Sequence, residues 1–400
     1  MKIETKHDFA AKLMQENVLP SVLNYVTWQR EIRGAQARGE KAPLMPSNIA
    51  LTSINLDLTT ACNYRCDHCI DFDILNSAQR YEHDKLVTSL DKLVNRGLRS
   101  VILIGGGEPT LYPGFSEIVR FLKEREVQTA IVTNGSRNEK ILEIADALSG
   151  RDWVRLSLDA GTDQTFQKMH KPKKAIRLEE ICSWIPRIRA RNPKLPVGFS
   201  FIIVWQGAER EQGVNIVENI GEMVQAAMLA KESGFSYISF KPFLMREPSG
   251  AEVMDPSVMA DFNSTIERIR VAVDEAKMLE TDDFKVIEST NLRVLMQGNW
   301  RDFTKQPKTC HMTAFRQVIS PLGVYHCPTH RGVSAGKISE ALEDSQEPTA
   351  KLIEKFDAAN HCKEITCLYN SVNWWIEELI ENGIPLSEIL PLPDRGDYYL

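Results

Sequence analysis

From residue 53 the chain alternates short apolar runs with longer stretches whose apolar residues recur at helical spacing. Ile54–Leu58 alternates as a strand, and Tyr81–Arg96 carries a helical stripe that stops at Gly97. Ser100–Ile104 is a short buried strand closed by three glycines. The same patterning predicts a helix over Phe115–Arg125, a strand over Gln128–Thr133, a helix over Glu139–Leu148 and a strand over Val154–Leu158. Leu178–Ala190 reads as a helix that Pro186 kinks or ends. A strand at Val197–Val204, a helix at Ile216–Ser233 and a strand at Tyr237–Phe240 follow, making six β/α units. Such alternation builds a parallel sheet through right-handed crossovers. Periodicity leaves open whether that sheet is doubly wound or a partial barrel. In either case function gathers at the C-terminal ends of the strands.

Residues 1–50 read as an extension, with short helices at Phe9–Met14 and Val18–Val26 and a loop over Gly34–Pro46. After Lys241-Pro242 the pattern changes to a helix near Val258–Leu279 and then a region rich in cysteine and turns. Pro248, Ser249 and Gly250 put the boundary in a loop. The expected organisation is an extension at 1–50, a β/α domain at 51–245 and a smaller cysteine-rich α+β domain at 246–400.

With 43% hydrophobic and 26% charged residues the composition is that of a globular protein. No apolar run is long enough to span a bilayer. The N-terminus lacks the apolar core of a signal peptide, so a cytoplasmic location and no membrane partner are expected. A net charge of −6 offers no electrostatic footprint for nucleic acid. The local basic run Lys168–Lys174, which includes His170, reads as a solvated loop.

Cysteine changes this picture. The chain has 8, and reducing compartments disfavour structural disulfides. Cys182 sits alone in the apolar stretch Ile181–Ile185, as a buried small residue would. Cys62, Cys66 and Cys69 follow the first strand directly, and Cys310, Cys327, Cys362 and Cys367 form a second group. Three thiolates on one loop suit three irons of a four-iron cluster and leave the fourth iron open to a small molecule. The alternative is zinc with His68 as fourth ligand, in a cramped geometry.

The spacing Cys62-x-x-x-Cys66-x-x-Cys69 resembles the signature of the radical S-adenosylmethionine superfamily. Gly106-Gly107-Glu108-Pro109, Thr133-Asn134-Gly135 and Ser157-Leu158-Asp159, at successive strand ends, resemble its further motifs over about residues 53–241. The resemblance implies a partial parallel (β/α)6 barrel, S-adenosylmethionine as cofactor and a catalytic 4Fe-4S cluster on Cys62, Cys66 and Cys69. Gly106 and Gly107 would let backbone approach the methionine moiety. Glu108 would accept hydrogen bonds from its ammonium group, and Asn134 and Ser157 would bond ribose or carboxylate oxygens. Asp159 would touch the cofactor or orient its loop. One position departs: His68 stands where the family carries Tyr, Phe or Trp, keeping a ring beside the adenine.

In the second group, Ser320-Pro321-Leu322-Gly323 has a type I turn signature, and its flanks predict a β-hairpin. The hairpin brings Cys310 and Cys327 to its open end, and Cys362 and Cys367 come from later in the chain, before a helix at Val372–Ile380. The arrangement resembles the twitch domain, the shortened SPASM domain, which implies a second, auxiliary 4Fe-4S cluster. Zinc is the alternative occupant. Gly323 lies one residue closer to its cysteine than in that pattern, and the last pair is wider than a Cys-x-x-Cys hook.

The resemblance implies reductive cleavage of S-adenosylmethionine to a 5′-deoxyadenosyl radical, which takes a hydrogen atom from an unactivated carbon. Flavodoxin or ferredoxin is the electron donor it implies. A fully ligated auxiliary cluster favours a net oxidation of a small polar metabolite such as a sugar, aminocyclitol or nucleotide. The alternatives are modification of a ribosomal peptide and, more remotely, a non-catalytic iron–sulfur or zinc protein. Lys241, Arg246 and Glu288 are candidate acid or base groups, because strand ends and the following domain face the site.

Overall fold

The computed structural model describes residues 8–210, 214, 216–246, 252–254, 256, 259–342 and 346–400. Its strands are β1 (Ser53–Leu56), β2 (Ser100–Leu103), β3 (Gln128–Thr133), β4 (Trp153–Ser157), β5 (Val197–Ile203), β6 (Tyr237–Pro242), β7 (Lys285–Glu288), β8 (Arg316–Ser320), β9 (Gly323–Tyr325) and β10 (Lys337–Ser339). A separate two-stranded ladder pairs Met245–Arg246 with Glu252–Val253. The ten strands form one sheet in the order β10-β9-β8-β1-β2-β3-β4-β5-β6-β7. Every pairing from β8 through β1 to β7 is parallel, and β8, β9 and β10 pair antiparallel. This open, mostly parallel sheet is the expected partial barrel.

Alternation along the strands makes the two faces. In β4, Val154 and Leu156 are buried against helices, whereas Trp153, Arg155 and Ser157 on the inner face are only partly buried. Ile102, Val132, Ile202 and Lys241 on neighbouring strands are partly open as well. Helices cover the outer face by apolar stripes: His83–Asn95 buries Leu86, Leu90 and Leu93, and Phe115–Glu124 buries Phe115, Ile118, Val119 and Leu122. The apolar core is therefore between sheet and helices, and the inner face is left for function. Among the described residues, no helix is long and apolar enough to cross a membrane.

Four features differ from the sequence reading. The parallel sheet does not stop near residue 245: β7 pairs with β6 from Tyr237↔Lys285 to Phe240↔Glu288. The short Lys-Val-Ile-Glu run lacked a long apolar signature. The predicted hairpin is present, but it joins the same sheet through β8 and β1. The predicted boundary loop at Pro248–Gly250 lies outside the described residues.

The third difference is at the N-terminus. The second helix runs from Leu19 to Arg38, through the expected loop at Gly34, and ends where Gly39 takes a left-handed φ of 69°. Glycine inside a helix costs only about 1 kcal/mol, and packing offsets it: the helix shares a core with Met312, Phe315, Val372 and Ile376. Tyr25 Oη lies 2.8 Å from His311 Nδ1, and Arg33 bonds Glu377, which holds His311 Nε2 at 2.7 Å. The extension is thus fastened to the segment that follows Cys310.

Fourth, residues 396–400 run across the N-terminal ends of the strands. Ser100 Oγ donates to Tyr398 O (2.7 Å), Tyr398 N to Gln128 Oε1 (2.8 Å) and Arg316 Nε to Leu400 O (3.0 Å). The Tyr399 ring packs on Trp153 at 5.6 Å. The floor of the inner space is closed, and its opposite end carries the cysteine loop.

Candidate active site

Cys62, Cys66 and Cys69 lie half-buried on the loop after β1. The loop is pinned on both sides. Glu108 N donates to Ala61 O (2.8 Å), and Cys62 N to Asn76 Oδ1 (3.0 Å). From below, Arg65 N donates to His170 O (3.1 Å) and Lys173 N to Asn63 O (2.9 Å). Lys171 Nζ bonds Asp67 (2.7 Å) and Lys173 Nζ bonds Cys62 O (2.8 Å). The basic run read as a solvated loop is therefore, in part, a cradle for the cysteine loop. Its charged residues look exposed in sequence because their targets, Asp67 and Cys62, are 104 and 111 residues away along the chain.

The thiols sit among groups that resist a free charge. Burial pushes the Cys62 thiol up to about 11, with Glu108 adding to it, and raises Cys66 and Cys69, where other thiols of the trio add to the shift. A metal that binds them releases those protons and removes the mutual repulsion. Three thiols on one pinned loop fit a cluster with one open iron. Cys66 Sγ and ring nitrogens of His68 and His170 also lie mutually within 4.8 Å. Each Nε2 is held, that of His68 3.0 Å from Asp159 Oδ2 and that of His170 2.9 Å from Leu158 O, which leaves the Nδ1 atoms as the ligand atoms. A zinc ion there would, however, leave Cys62 and Cys69 idle.

Asp159, the last residue of the fourth-strand motif, is held by several partners. Burial alone would raise its carboxyl, but hydrogen bonds from His170 and His68 outweigh this and hold it well below the usual range. Its Oδ1 accepts from Ile202 N (2.7 Å), and its carbonyl accepts from Asn219 Nδ2 (2.8 Å). It therefore ties β4, β5 and the cysteine loop together. His68 is buried on Asp159 and meets the His170 ring edge-on at 5.0 Å. Neither His170 nor Asn219 stood out in the sequence; a buried-looking histidine after an amphipathic turn was the one available signal.

Glu108 is also a fastener. Its Oε1 accepts from Thr110 N (3.0 Å), Thr110 Oγ1 (2.6 Å) and Thr133 Oγ1 (2.7 Å), and Oε2 accepts from Asn134 N (2.7 Å). Burial raises its carboxyl despite these bonds. A carboxylate has about four acceptor sites, so this one is largely spent on joining the ends of β2 and β3. Asn134 Nδ2 in turn bonds Asn63 Oδ1 at 2.9 Å. Gly107 is required by packing: a Cβ there would lie 2.6 Å from Thr59 O. Gly106, at φ 65°, would set a Cβ 2.9 Å from the Asp57 side chain. Ser157 stands half-buried on the inner face, in register with Ser200.

Of the acid–base candidates, Lys241 faces the inner space beside Ile202. Glu288 does not reach it: the residue shares the outer, helix-packed register of Phe240 and is ion-paired to Lys277. The side chain of Arg246 lies outside the described residues.

A buried ion cluster, unread in the sequence, links both cysteine groups. Arg331, four residues after Cys327, bonds Asp71 Oδ1 and Oδ2 at 2.9 and 2.8 Å, and its Nε lies 3.0 Å from Asp57 Oδ2. Asp71 Oδ2 also accepts from Gly106 N (3.0 Å). Gly105 leaves the space that the guanidinium occupies.

The second cysteine group also converges. Burial pushes Cys310 up to about 11, with Cys327 adding to it, and raises Cys362 and Cys367 with help from the other thiols. A tetrahedral zinc with bonds of about 2.3 Å draws its sulfurs to roughly 3.8 Å apart. Among the described residues, no three of these thiols lie mutually within 4.8 Å.

Comparison with known proteins agrees with this geometry. Residues 56–220 match the radical SAM superfamily. Over 143 residues the chain is 28% identical to the S-adenosylmethionine-dependent nucleotide dehydratase of Flammeovirga pacifica, covering 34% of this chain and 49% of that protein. Over 155 residues it is 30% identical to the GTP 3′,8-cyclase of Chlorobaculum tepidum, covering 38% of this chain and 44% of that one. The chain thus spans about half the length of the curated relatives it matches. Among solved structures, Streptococcus suis SuiB bound to S-adenosylmethionine aligns with a TM-score of 0.53 at 14% identity, over 71% of this chain and 62% of that one. The anSMEcpe structure with bound AdoMet gives 0.51 at 13%, over 80% and 86%. These two show likeness of fold. The family match lies on the strands and loops that gather the first cysteine trio, so residues 56–220 form a radical SAM domain.

Proposed function

We propose that Cys62, Cys66 and Cys69 ligate the catalytic 4Fe-4S cluster, and that the rim formed by Gly106–Glu108, Asn134, Ser157 and the His68–Asp159 pair holds S-adenosylmethionine above it. The substrate is a small polar metabolite, with a nucleotide preferred over a sugar or aminocyclitol, and the net reaction is an oxidation. Cys310, Cys327, Cys362 and Cys367 would hold an auxiliary 4Fe-4S cluster, which would supply an electron acceptor for that oxidation. A flavodoxin- or ferredoxin-type donor reduces the first cluster.

The observation that carries this reading is the continuous hydrogen-bonded rim: the loop of three thiols is tied through Ala61, Asn63 and His68 to Glu108, Asn134 and Asp159 at three successive strand ends. Similarity to nucleotide-modifying relatives supports the substrate preference. When bound, cluster and cofactor supply one-electron cleavage of the sulfonium and hydrogen-atom abstraction. The chain's own work is positional. Glu108 fixes the Asn134 loop, Asp159 fixes His68, and Tyr398–Leu400 closes the floor against water.

The test is anaerobic incubation of reconstituted, reduced protein with S-adenosylmethionine and nucleotides deuterated on the ribose. Deuterium in 5′-deoxyadenosine is the expected result. Label transfer from sugars or peptides alone would overturn the nucleotide assignment, and no 5′-deoxyadenosine under any condition would overturn the whole reading.

A further inference from the structure

The inner face of the barrel carries two basic side chains that, among the described residues, form no ion pair. Arg155 projects from the middle of β4 and Lys241 from the C-terminal part of β6, and both are partly buried. Among the described residues neither has a carboxylate within 4.0 Å, and the buried Arg155 Nε has no hydrogen-bond partner. The guanidinium rests 5.0 Å from the Trp153 ring, which orients it without neutralising it. Asp159 is the acidic group that acts on both cations, and its oxygens are committed to Ile202 N and His68. Burial lowers the pKa of both cations, and Arg155 lowers that of Lys241 further.

Tyr237 completes the group. Its ring crosses β5 at Gly198, the residue in register between Arg155 and Tyr237, where any Cβ would collide with the phenol. The glycine is thus explained by the need to bring this phenol toward Arg155. Two basic groups brought together where burial disfavours their charge, with the nearby Asp159 already committed, gain from an anion that completes the set. A guanidinium fork, an ammonium point charge and a phenol hydroxyl match the oxygens of a phosphate.

We propose that Arg155, Lys241 and Tyr237 form an anion subsite inside the barrel that holds the phosphate of a nucleotide substrate. The inference rests on the nucleotide reading above and deepens it. The same chemistry would suit the carboxylate of S-adenosylmethionine, so the experiment separates the two.

Reconstituted protein, Arg155→Gln, Lys241→Gln and Lys241→Arg are titrated anaerobically by calorimetry with S-adenosylmethionine, and then, with that cofactor saturating, with ATP, GTP, CTP, UTP and inorganic tripolyphosphate. We expect at least one nucleoside triphosphate to bind the native protein. Each Gln variant should weaken it about tenfold or more, the worth of a charge-assisted hydrogen bond. Lys241→Arg should recover part of the loss, and cofactor affinity should stay unchanged. Native-like circular dichroism and iron content show that the variants fold. Failure of every triphosphate to bind, or equal binding by native protein and variants, would overturn the subsite. Loss of cofactor affinity alone would assign the cations to the cofactor carboxylate and overturn it as well. Formation of 5′-deoxyadenosine by the native protein is scored separately, so a failure of the radical SAM reading itself is distinguishable.

Discussion

Arg331 is where one substitution tests the link between the two cysteine groups. Its side chain is 2% exposed and faces Asp57 and Asp71, whose side chains are 0% and 8% exposed. At an effective dielectric of 20, a unit charge 4 Å away is worth about 4 kcal/mol to each carboxylate. Desolvation and the Asp57–Asp71 repulsion return part of this. Breaking a buried pair while leaving its partners in place costs about 3–5 kcal/mol, and Arg331→Met should cost that much. The loss should depend on pH. Burial first, and then Asp71, push the Asp57 carboxyl up to about 7 even though Arg331 pulls it down. A carboxyl raised above its unfolded value of about 3.9 binds its proton more tightly in the folded state. Its contribution is fully present below that value and is lost as pH rises through about 7. Without Arg331 the folded value climbs further, so the deficit should be largest near pH 8 and shrink toward pH 5.5. Urea unfolding followed by circular dichroism at both pH values measures it, and Asp57→Asn in the Arg331→Met background should restore part of the loss at the higher pH. A variant within about 1 kcal/mol of the native protein near pH 8, or a larger deficit near pH 5.5, would refute the reasoning.

Three further outcomes are expected. Glu108→Ala strands the donors of Thr110, Thr133 and Asn134 and should lower stability by about 1.5–3 kcal/mol in urea unfolding, in addition to any loss of cofactor affinity measured by calorimetry. Gly107→Ala forces a Cβ against the Thr59 carbonyl and should displace the cysteine loop, read as reduced iron incorporation at the first site. Reconstituted protein should hold about eight irons, the sum of two four-iron clusters, and the combined Cys62→Ala, Cys66→Ala, Cys69→Ala variant about half, with no 5′-deoxyadenosine; about four irons with one tightly bound zinc in the native protein would refute the second cluster.

The sequence by itself determined the repeating architecture, because strand and helix periods are local. Val154 and Leu156 alternate with Arg155 whatever the chain does elsewhere, and Leu86, Leu90 and Leu93 mark one helix face without any partner. It also located the cysteine trio and the strand-end motifs, since each is a short run whose residue types carry their chemistry. The six β/α units, the hairpin at Ser320–Gly323 and the burial of Cys182 were legible for the same reason.

Tertiary structure decided what depends on contacts between distant segments. Glu108, Asn134 and Asp159 were visible as motif residues, but only the fold shows their polar atoms spent on Thr133, Asn63 and His68. His170 lies in a charged run whose solvated appearance reversed once Leu158 and Cys66 came within reach of its ring. Glu288 turned outward because one residue of strand register places it with Phe240 on the helix-packed face, and pairing with Lys277 satisfies its charge there. Arg331 meets Asp57 and Asp71 across some 260 residues of chain, and β7 closes on β6 across the region where the local pattern had ended. Burial removes water as the default partner of a polar group, so each such group must find another in the fold, and sequence spacing does not specify which.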